Sequence, residues 1–291
     1  MRARSEQPHA RLGVRPRPAQ RWFVNEPPAR RFPRVDLREL WVYREVVRAL
    51  ATRDLKLRYR QTVFGVGWAI LQPAAAMLVF TVLFSKVAGI ESDGLPYPVF
   101  VYAGLVAWVY VSGSVSAAAE SLAGNRALVT KVYFPRLTAP IAAVLPGLLD
   151  LVIALAFGAV LIAAYEVTPG PAVLLTPVWI ALAVLIACGA GIWLAALNAL
   201  YRDVRHALGF LLQLWLFASP VVIPTSLIGD SWRALYALNP MVGVIDGLRW
   251  SLLDGPAPPA ADLLSAASTV LLLVTGTAYF ARAEQRIADE V

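Results

Sequence analysis

The chain has 291 residues, of which 58% are hydrophobic and only 15% charged, against about 45–50% and about 25% in a typical soluble domain. A soluble fold of this length needs more charged surface, and the charge is missing mainly from long apolar runs, which excludes an ordinary globular protein and points to membrane spans. The net charge of +7 is uneven: residues 1–65 carry fifteen Arg and one Lys against six acids, a net of +10, and a basic segment leading into apolar runs fits anionic lipid better than nucleic acid.

Three regions follow in chain order. Residues 1–34 are rich in Arg and Pro and hold nothing that could build a core, so they are expected to form a disordered basic tail. They also lack the apolar centre of a signal peptide. Residues 35–62 are expected to hold an interface helix and an access segment. Over 36–57, Leu40, Tyr43, Val47, Leu50 and Ala51 recur at helical spacing, with Arg38, Glu45, Thr52, Arg53 and Lys56 mostly opposite. That is the pattern of an amphipathic helix lying in the membrane interface; a cytosolic helix packing on a partner has the same pattern. Residues 63–285 are expected to form an all-α transmembrane domain.

Six spans are predicted in that domain, at about 67–88, 97–118, 138–164, 172–198, 207–225 and 261–281, each near the length that a hydrocarbon core demands. With both termini inside, the inner segments net +12 and the outer ones −4, with Asp150 within a span. This satisfies the positive-inside rule at every loop. Residues 226–260 are too apolar for a free loop and are interrupted by Pro240. Two readings are open for them: two short helices re-entering the outer leaflet, or two helices lying flat on it.

Some chemistry is absent. The sequence holds no phosphate-binding Gly-x-x-x-x-Gly-Lys-Ser/Thr loop, no Gly-x-Ser-x-Gly and no metal-spaced His/Cys set. His9 and His206 stand alone, and Cys188 sits among Ala and Gly as a small packing residue. Asp150 is different, because a carboxylate within a span is costly and tends to be functional. It could equally be protonated or paired for structure.

Three cytoplasmic segments and one outer segment carry a resemblance. They are Arg53-Asp54-Leu-Lys56-Leu-Arg58-Tyr59-Arg60-Gln61-Thr62 followed by Gly65, Gly67, Trp68 and Leu71-Gln72-Pro73; Asn125 to Lys131-Val-Tyr133-Phe134-Pro135-Arg136; Asn198 to Tyr201-Arg202-Asp203-Val-Arg205, continuing to Gln213-Leu-Trp215-Leu-Phe217-Ala-Ser219-Pro220; and Leu238-Asn239-Pro240-Met241 to Asp246-Gly-Leu-Arg249. Together, over about residues 36–282, they resemble the type-2 ABC transporter permeases that export polysaccharides such as O-antigen, capsule, teichoic acid and galactan chains. The tail before residue 20 departs from that pattern.

The resemblance implies a permease subunit, not an enzyme, in the bacterial cytoplasmic membrane, that moves a lipid-linked polysaccharide. It implies a second copy of this chain and two copies of a separate ATPase, which would bind the ATP and Mg; the chain itself would carry no cofactor. It places an ATPase-coupling helix at about 123–135, with Asn125, Arg126, Leu128, Lys131, Tyr133 and Phe134 as contacts, although positive-inside charge alone would also produce a solvated basic loop there. It places Arg58, Tyr59 and Arg60 where a pyrophosphate-linked headgroup is admitted. Channel lining falls to Trp68, Phe80, Phe84, Tyr102, Trp108, Phe210, Trp215 and Phe217, whose rings could instead face lipid or pack helices. An outer gate falls to Trp232, Tyr236, Asn239, Pro240 and Arg249. The same fold serves type-2 permeases for small lipids or drugs, which is the alternative cargo.

Overall fold

Apolar chain in a bilayer satisfies its backbone polar groups within helices or closed barrels. The computed structural model describes residues 37–60, 64–124, 134–201 and 203–290, with side chains from 40 to 284 within those ranges, and among them it is all helix and turn. The expected basic tail and the coupling contacts Asn125, Arg126, Leu128, Lys131 and Tyr133 lie outside the described residues.

Two helices precede the first span. α1 (Leu37–Val42) leads into α2 (Arg44–Tyr59), the amphipathic segment expected from the sequence. Leu50 of α2 is buried with Phe134 and Ala142, and Tyr43, Val46 and Val47 pack against them. Phe134, read from the sequence as part of a partner contact, is thus enclosed by the protein's own helices.

α3 (Trp68–Phe80) contains Pro73 and widens into a π-helical stretch, Thr81–Val87. It stops at Gly89, whose φ of +66° suits glycine. α4 (Tyr97–Gly124) is the hub. The third apolar segment breaks at Leu145, before Pro146, into α5 (Thr138–Val144) and α6 (Pro146–Ala164); proline lacks the amide that an unbroken ladder requires. α7 (Thr176–Leu200) is rich in small residues on its packed side, including Ala183, Ala187, Ala190, Ala195 and Ala196. Such residues let helix backbones approach closely in lipid. A Cβ on Gly191 would lie 2.6 Å from the Ala118 Cβ of α4, and one on Gly276 would lie 2.7 Å from the Gly189 carbonyl oxygen. Gly276 belongs to α11 (Leu263–Glu290).

The main core gathers Phe100, Val101, Leu105, Val111 and Val115 of α4 with Ile186 and Ala187 of α7. The next helices add Leu151 and Ala154 of α6 and residues 241–248. Among the described residues, five helical segments are long and apolar enough to cross a membrane: Gly65–Val87, Tyr97–Gly124, Thr138–Ala164, Pro171–Leu200 and Ala260–Glu284. The segment expected to span at 207–225 differs. Its helix α8 (Asp203–Phe217) has 15 residues, about 22 Å at 1.5 Å per residue, short of a hydrocarbon core of about 30 Å. Turns occupy the residues from 218 to 223.

Two helices follow as the sequence suggested: α9 (Asp230–Tyr236) and α10 (Pro240–Leu253). The break between them has a local cause. Pro240 stands at the first helical position, where its missing amide costs nothing, and the Asn239 side chain caps α10 by accepting from the Met241 amide at 3.0 Å.

Candidate functional site

The costly carboxylate supplies the first part of the site. Asp150, one turn into α6, has a side chain only 16% exposed, and Arg58 Nη2 lies 2.8 Å from its Oδ2. The Tyr59 hydroxyl donates to Asp150 Oδ1. Two consecutive residues at the C-terminal end of α2 thus satisfy the acid that α6 carries. Desolvation by burial and the bond to Asp150 push the Tyr59 hydroxyl up to about 12, so it is a proton donor throughout the neutral range. Arg58 remains 47% exposed, and its other N–H groups stay available. Arg60 follows in extended backbone and is exposed.

Beside this triad lies a cavity of about 210 Å³, walled by Arg58, Tyr59 and Asp150 together with Trp68, Gln72 and Pro73 of α3, Val106, Tyr110, Gly113 and Ser114 of α4, and Gly147 and Leu151 of α6. Arg58 also lines a second cavity of about 290 Å³, with Arg53, Asp54, Glu120, Ser121, Gly124 and Pro146. That second cavity reaches Gly124, within the segment 123–135 that the resemblance assigns to coupling.

The end of the molecule at α10 has its own polar frame. Arg249 of α10 is 4% exposed. It donates from Nε to the Phe100 carbonyl at 3.3 Å and from Nη2 to the Val221 carbonyl at 2.9 Å, and its guanidinium sits 3.5 Å over the Phe100 ring. Its Nη1 lies 3.6 Å from Asp246, whose other oxygen accepts from Thr225 at 2.5 Å. Burial outweighs this pairing: it lowers the Arg249 guanidinium to about 10 and raises the Asp246 carboxyl. Arg249 is therefore a pin between α10, α4 and the 221 turn, not an exposed gate charge. Asn239 is a second pin. It accepts from Trp215 Nε1 at 2.9 Å and donates to the Ala218 carbonyl at 2.8 Å and the Ser219 hydroxyl at 3.0 Å, which fixes the end of α8 to the start of α10.

The predicted aromatic set divides in two. Tyr102 is buried and donates to the Ala154 carbonyl at 2.9 Å. Trp108 is buried edge-on against Trp215, with ring centroids 5.7 Å apart. These rings tie α4 to α6 and α8. Phe80 and Phe84 meet edge-on at 5.8 Å and are half-buried. Trp68, Phe210, Phe217 and Trp232 present open faces. Trp215, Trp232, Tyr236, Asn239 and Pro240 share an open groove of about 450 Å³. Sequence reasoning assigned Arg58 and Tyr59 to the headgroup and Trp68 to the channel, and the structure brings them to one cavity; it left Asp150 unassigned, held Gln72 only as part of a motif and missed Ser114. The signal for Asp150 was its cost, which requires a partner, but its partners lie 91 and 92 residues away. Among the described residues no group of His, Cys, Asp and Glu is placed to hold a metal.

Comparison with known proteins agrees with this architecture. The chain is 35% identical over 259 residues to the O-antigen export system permease protein RfbA of Myxococcus xanthus, across 88% of this chain and 98% of that protein. It is 23% identical over 245 residues to the protein of the same name from Klebsiella pneumoniae, across 82% and 92%. To the polysialic acid transport protein KpsM of Escherichia coli it is 24% identical over 253 residues, across 84% and 95%. Residues 45–253, from α2 to the end of α10, match the model of the ABC-2 type transporter: the chain is a multi-pass membrane transport subunit and belongs to that family.

Proposed function

We propose that the chain is the permease half of an ATP-driven exporter that carries a lipid-linked polysaccharide across the bacterial cytoplasmic membrane, with both termini inside. The observation that carries this reading is the exposed half of Arg58 beside a polar cavity, at the point where an interface helix meets the spans. A pyrophosphate link is an anion of the kind a guanidinium binds with charge-assisted hydrogen bonds. The named relatives, which align over most of their lengths, support a glycan cargo over a small lipid or drug.

In this reading α8 and the turns that follow it make a sixth crossing, and α9 and α10 re-enter the outer leaflet as a gate. Two copies face each other across α3 and α8, where Trp68, Phe80, Phe84, Phe210, Trp215 and Phe217 supply ring faces to passing sugars. Each copy docks a separate ATPase, which binds ATP and Mg, through residues 123–135. When the ATPases close, the coupling segment pushes on α4 and α5. The cavity that Arg58 shares with Gly124 lies along that route, so the push reaches α2 and the headgroup.

Export in cells lacking the native permease tests the reading. Arg58→Ala is expected to lower surface glycan at least tenfold while the protein remains in the membrane at normal level. Arg126→Glu with Lys131→Glu is expected to release the ATPase on purification. Normal export by Arg58→Ala, or normal ATPase association by the double variant, would each remove its part of the proposal.

A further inference from the structure

The inner cavity contains more polar chemistry than an anion requires. The hydroxyls of Tyr110 and Ser114, on residues at most 4% exposed, are buried in its wall and have no hydrogen-bond partner beyond, at most, each other. A hydroxyl left so costs about 1–3 kcal/mol, a cost that a bound partner removes. Beside them stand the Asp150 carboxylate and the Gln72 amide, and the remaining wall is apolar, with Trp68, Pro73, Val106 and Leu151. Gly147 lets α6 lie close against this wall: a Cβ there would lie 2.8 Å from Ser114 Oγ and 3.3 Å from the Tyr110 ring.

Three ligand chemistries can be weighed against this wall. An acyl chain would leave the hydroxyls, amide and carboxylate unmatched. A phosphate would meet the Asp150 charge at close range. A sugar ring is neutral, its hydroxyls both donate and accept, and its C–H face suits the flat side of an indole. At about 210 Å³ the cavity falls below the roughly 300–1,000 Å³ of drug-sized pockets, which leaves room for one ring.

We infer that this cavity is a subsite for a single sugar, the one that adjoins the anionic link of the lipid-linked glycan, with Asp150, Gln72, Tyr110 and Ser114 as its hydrogen-bonding groups and Trp68 as its platform. The inference rests on the headgroup reading of Arg58. It assigns the two sides of the headgroup to different residues: Arg58 holds the diphosphate, and the α4 hydroxyls with Asp150 select the first sugar. Asp150 then has two tasks, since it orients Arg58 through one oxygen and leaves lone pairs for a sugar hydroxyl.

Binding of two probes to the full-length permease in lipid nanodiscs tests this, by native mass spectrometry with competition. One probe is a polyprenyl diphosphate; the other is the same lipid bearing one hexose or N-acetylhexosamine. The sugar-bearing lipid is expected to bind at least tenfold more tightly than the bare one. Tyr110→Phe with Ser114→Ala, which removes only two oxygen atoms, is expected to shrink that gap below threefold and leave the bare lipid's affinity unchanged. Gly147→Ala, whose methyl presses on Ser114 Oγ and the Tyr110 ring, is expected to do the same. Equal affinity for the two probes, with binding still lost in Arg58→Ala, would overturn the sugar subsite and spare the headgroup reading. So would a gap untouched by the double variant. Binding of neither probe, or binding indifferent to Arg58, would overturn both.

Discussion

The first two spans, Gly65–Val87 with α3 and Tyr97–Gly124 with α4, are both apolar enough to cross a bilayer, yet 11% of the apolar stretch of the first is buried within the protein and 78% of that of the second. The contrast has a structural cause. α4 touches α3, α5, α6, α7, α8 and α10, so most of its circumference is enclosed. α3 touches α4 and α6 on one side and leaves Leu71, Leu78 and Val79 bare, as the π-helical stretch that continues it leaves Val82 and Leu83. Both helices satisfy the membrane, and only one of them holds the protein together. The bare face of α3 and that of α8, with Phe210, Leu211, Leu214 and Phe217, are among the surfaces left for lipid or a second copy.

One large effect that tests this contrast is expected at the α4–α7 contact. Gly191→Leu forces a side chain against Ala118, and overpacking of that kind costs about 1–3 kcal/mol; the upper end of that range is expected, read as lost folded yield in detergent. Truncation then compares the two spans directly. Leu105→Ala in α4, where the leucine is 2% exposed, is expected to cost about 2–5 kcal/mol. Leu78→Ala in α3, where the leucine is 63% exposed, is expected to stay within about 0.5 kcal/mol. Denaturant titration of the purified protein measures both, and comparable losses would show that exposure in the single chain is a poor guide to what α3 touches.

A smaller effect separates the two possible neighbours of α3. Leu78→Cys and Phe210→Cys are expected to crosslink between copies in native membranes and to leave the stability of the isolated chain alone. Failure of both to crosslink, at positions accessible to a thiol reagent, would give the bare face to lipid and remove the paired channel.

Much of this was legible in the sequence, and the rest was hidden for identifiable reasons. Five spans, the amphipathic α2 and the break at Asn239-Pro240 follow from local rules of length, periodicity and capping, so they could be read directly. The segment 207–225 could not. Its composition suits a span, but its helix ends at Phe217, ahead of Pro220, and Asn239, from twenty residues away, donates to the Ala218 carbonyl and the Ser219 hydroxyl at that end. Tyr102 and Trp108 have the composition of channel aromatics and the environment of core, and only packing decides between those. The same holds for Asp150: its cost was visible, its partners were not.

The smallest expected effects concern the attachment of α2 to α6 through that acid. Asp150→Ala is expected to cost about 1–2 kcal/mol, less than a fully buried pair because half of Arg58 is in solvent. It should show first as faster proteolysis within α2. The Tyr59 bond adds a pH dependence whose direction is fixed. Its hydroxyl titrates at about 12 in the folded chain against an ordinary 10.0, so the folded state holds the proton more tightly. The contribution of this bond is therefore complete below pH 10 and is lost as pH rises from 10 through 12. Protection of α2 is expected to fall in that interval for the native chain. In Tyr59→Phe it is expected to be weaker at neutral pH and flat across it. A Tyr59→Phe profile that falls as the native one does would show that another group controls the attachment, and the carboxylate would then need a different account of how α6 carries it.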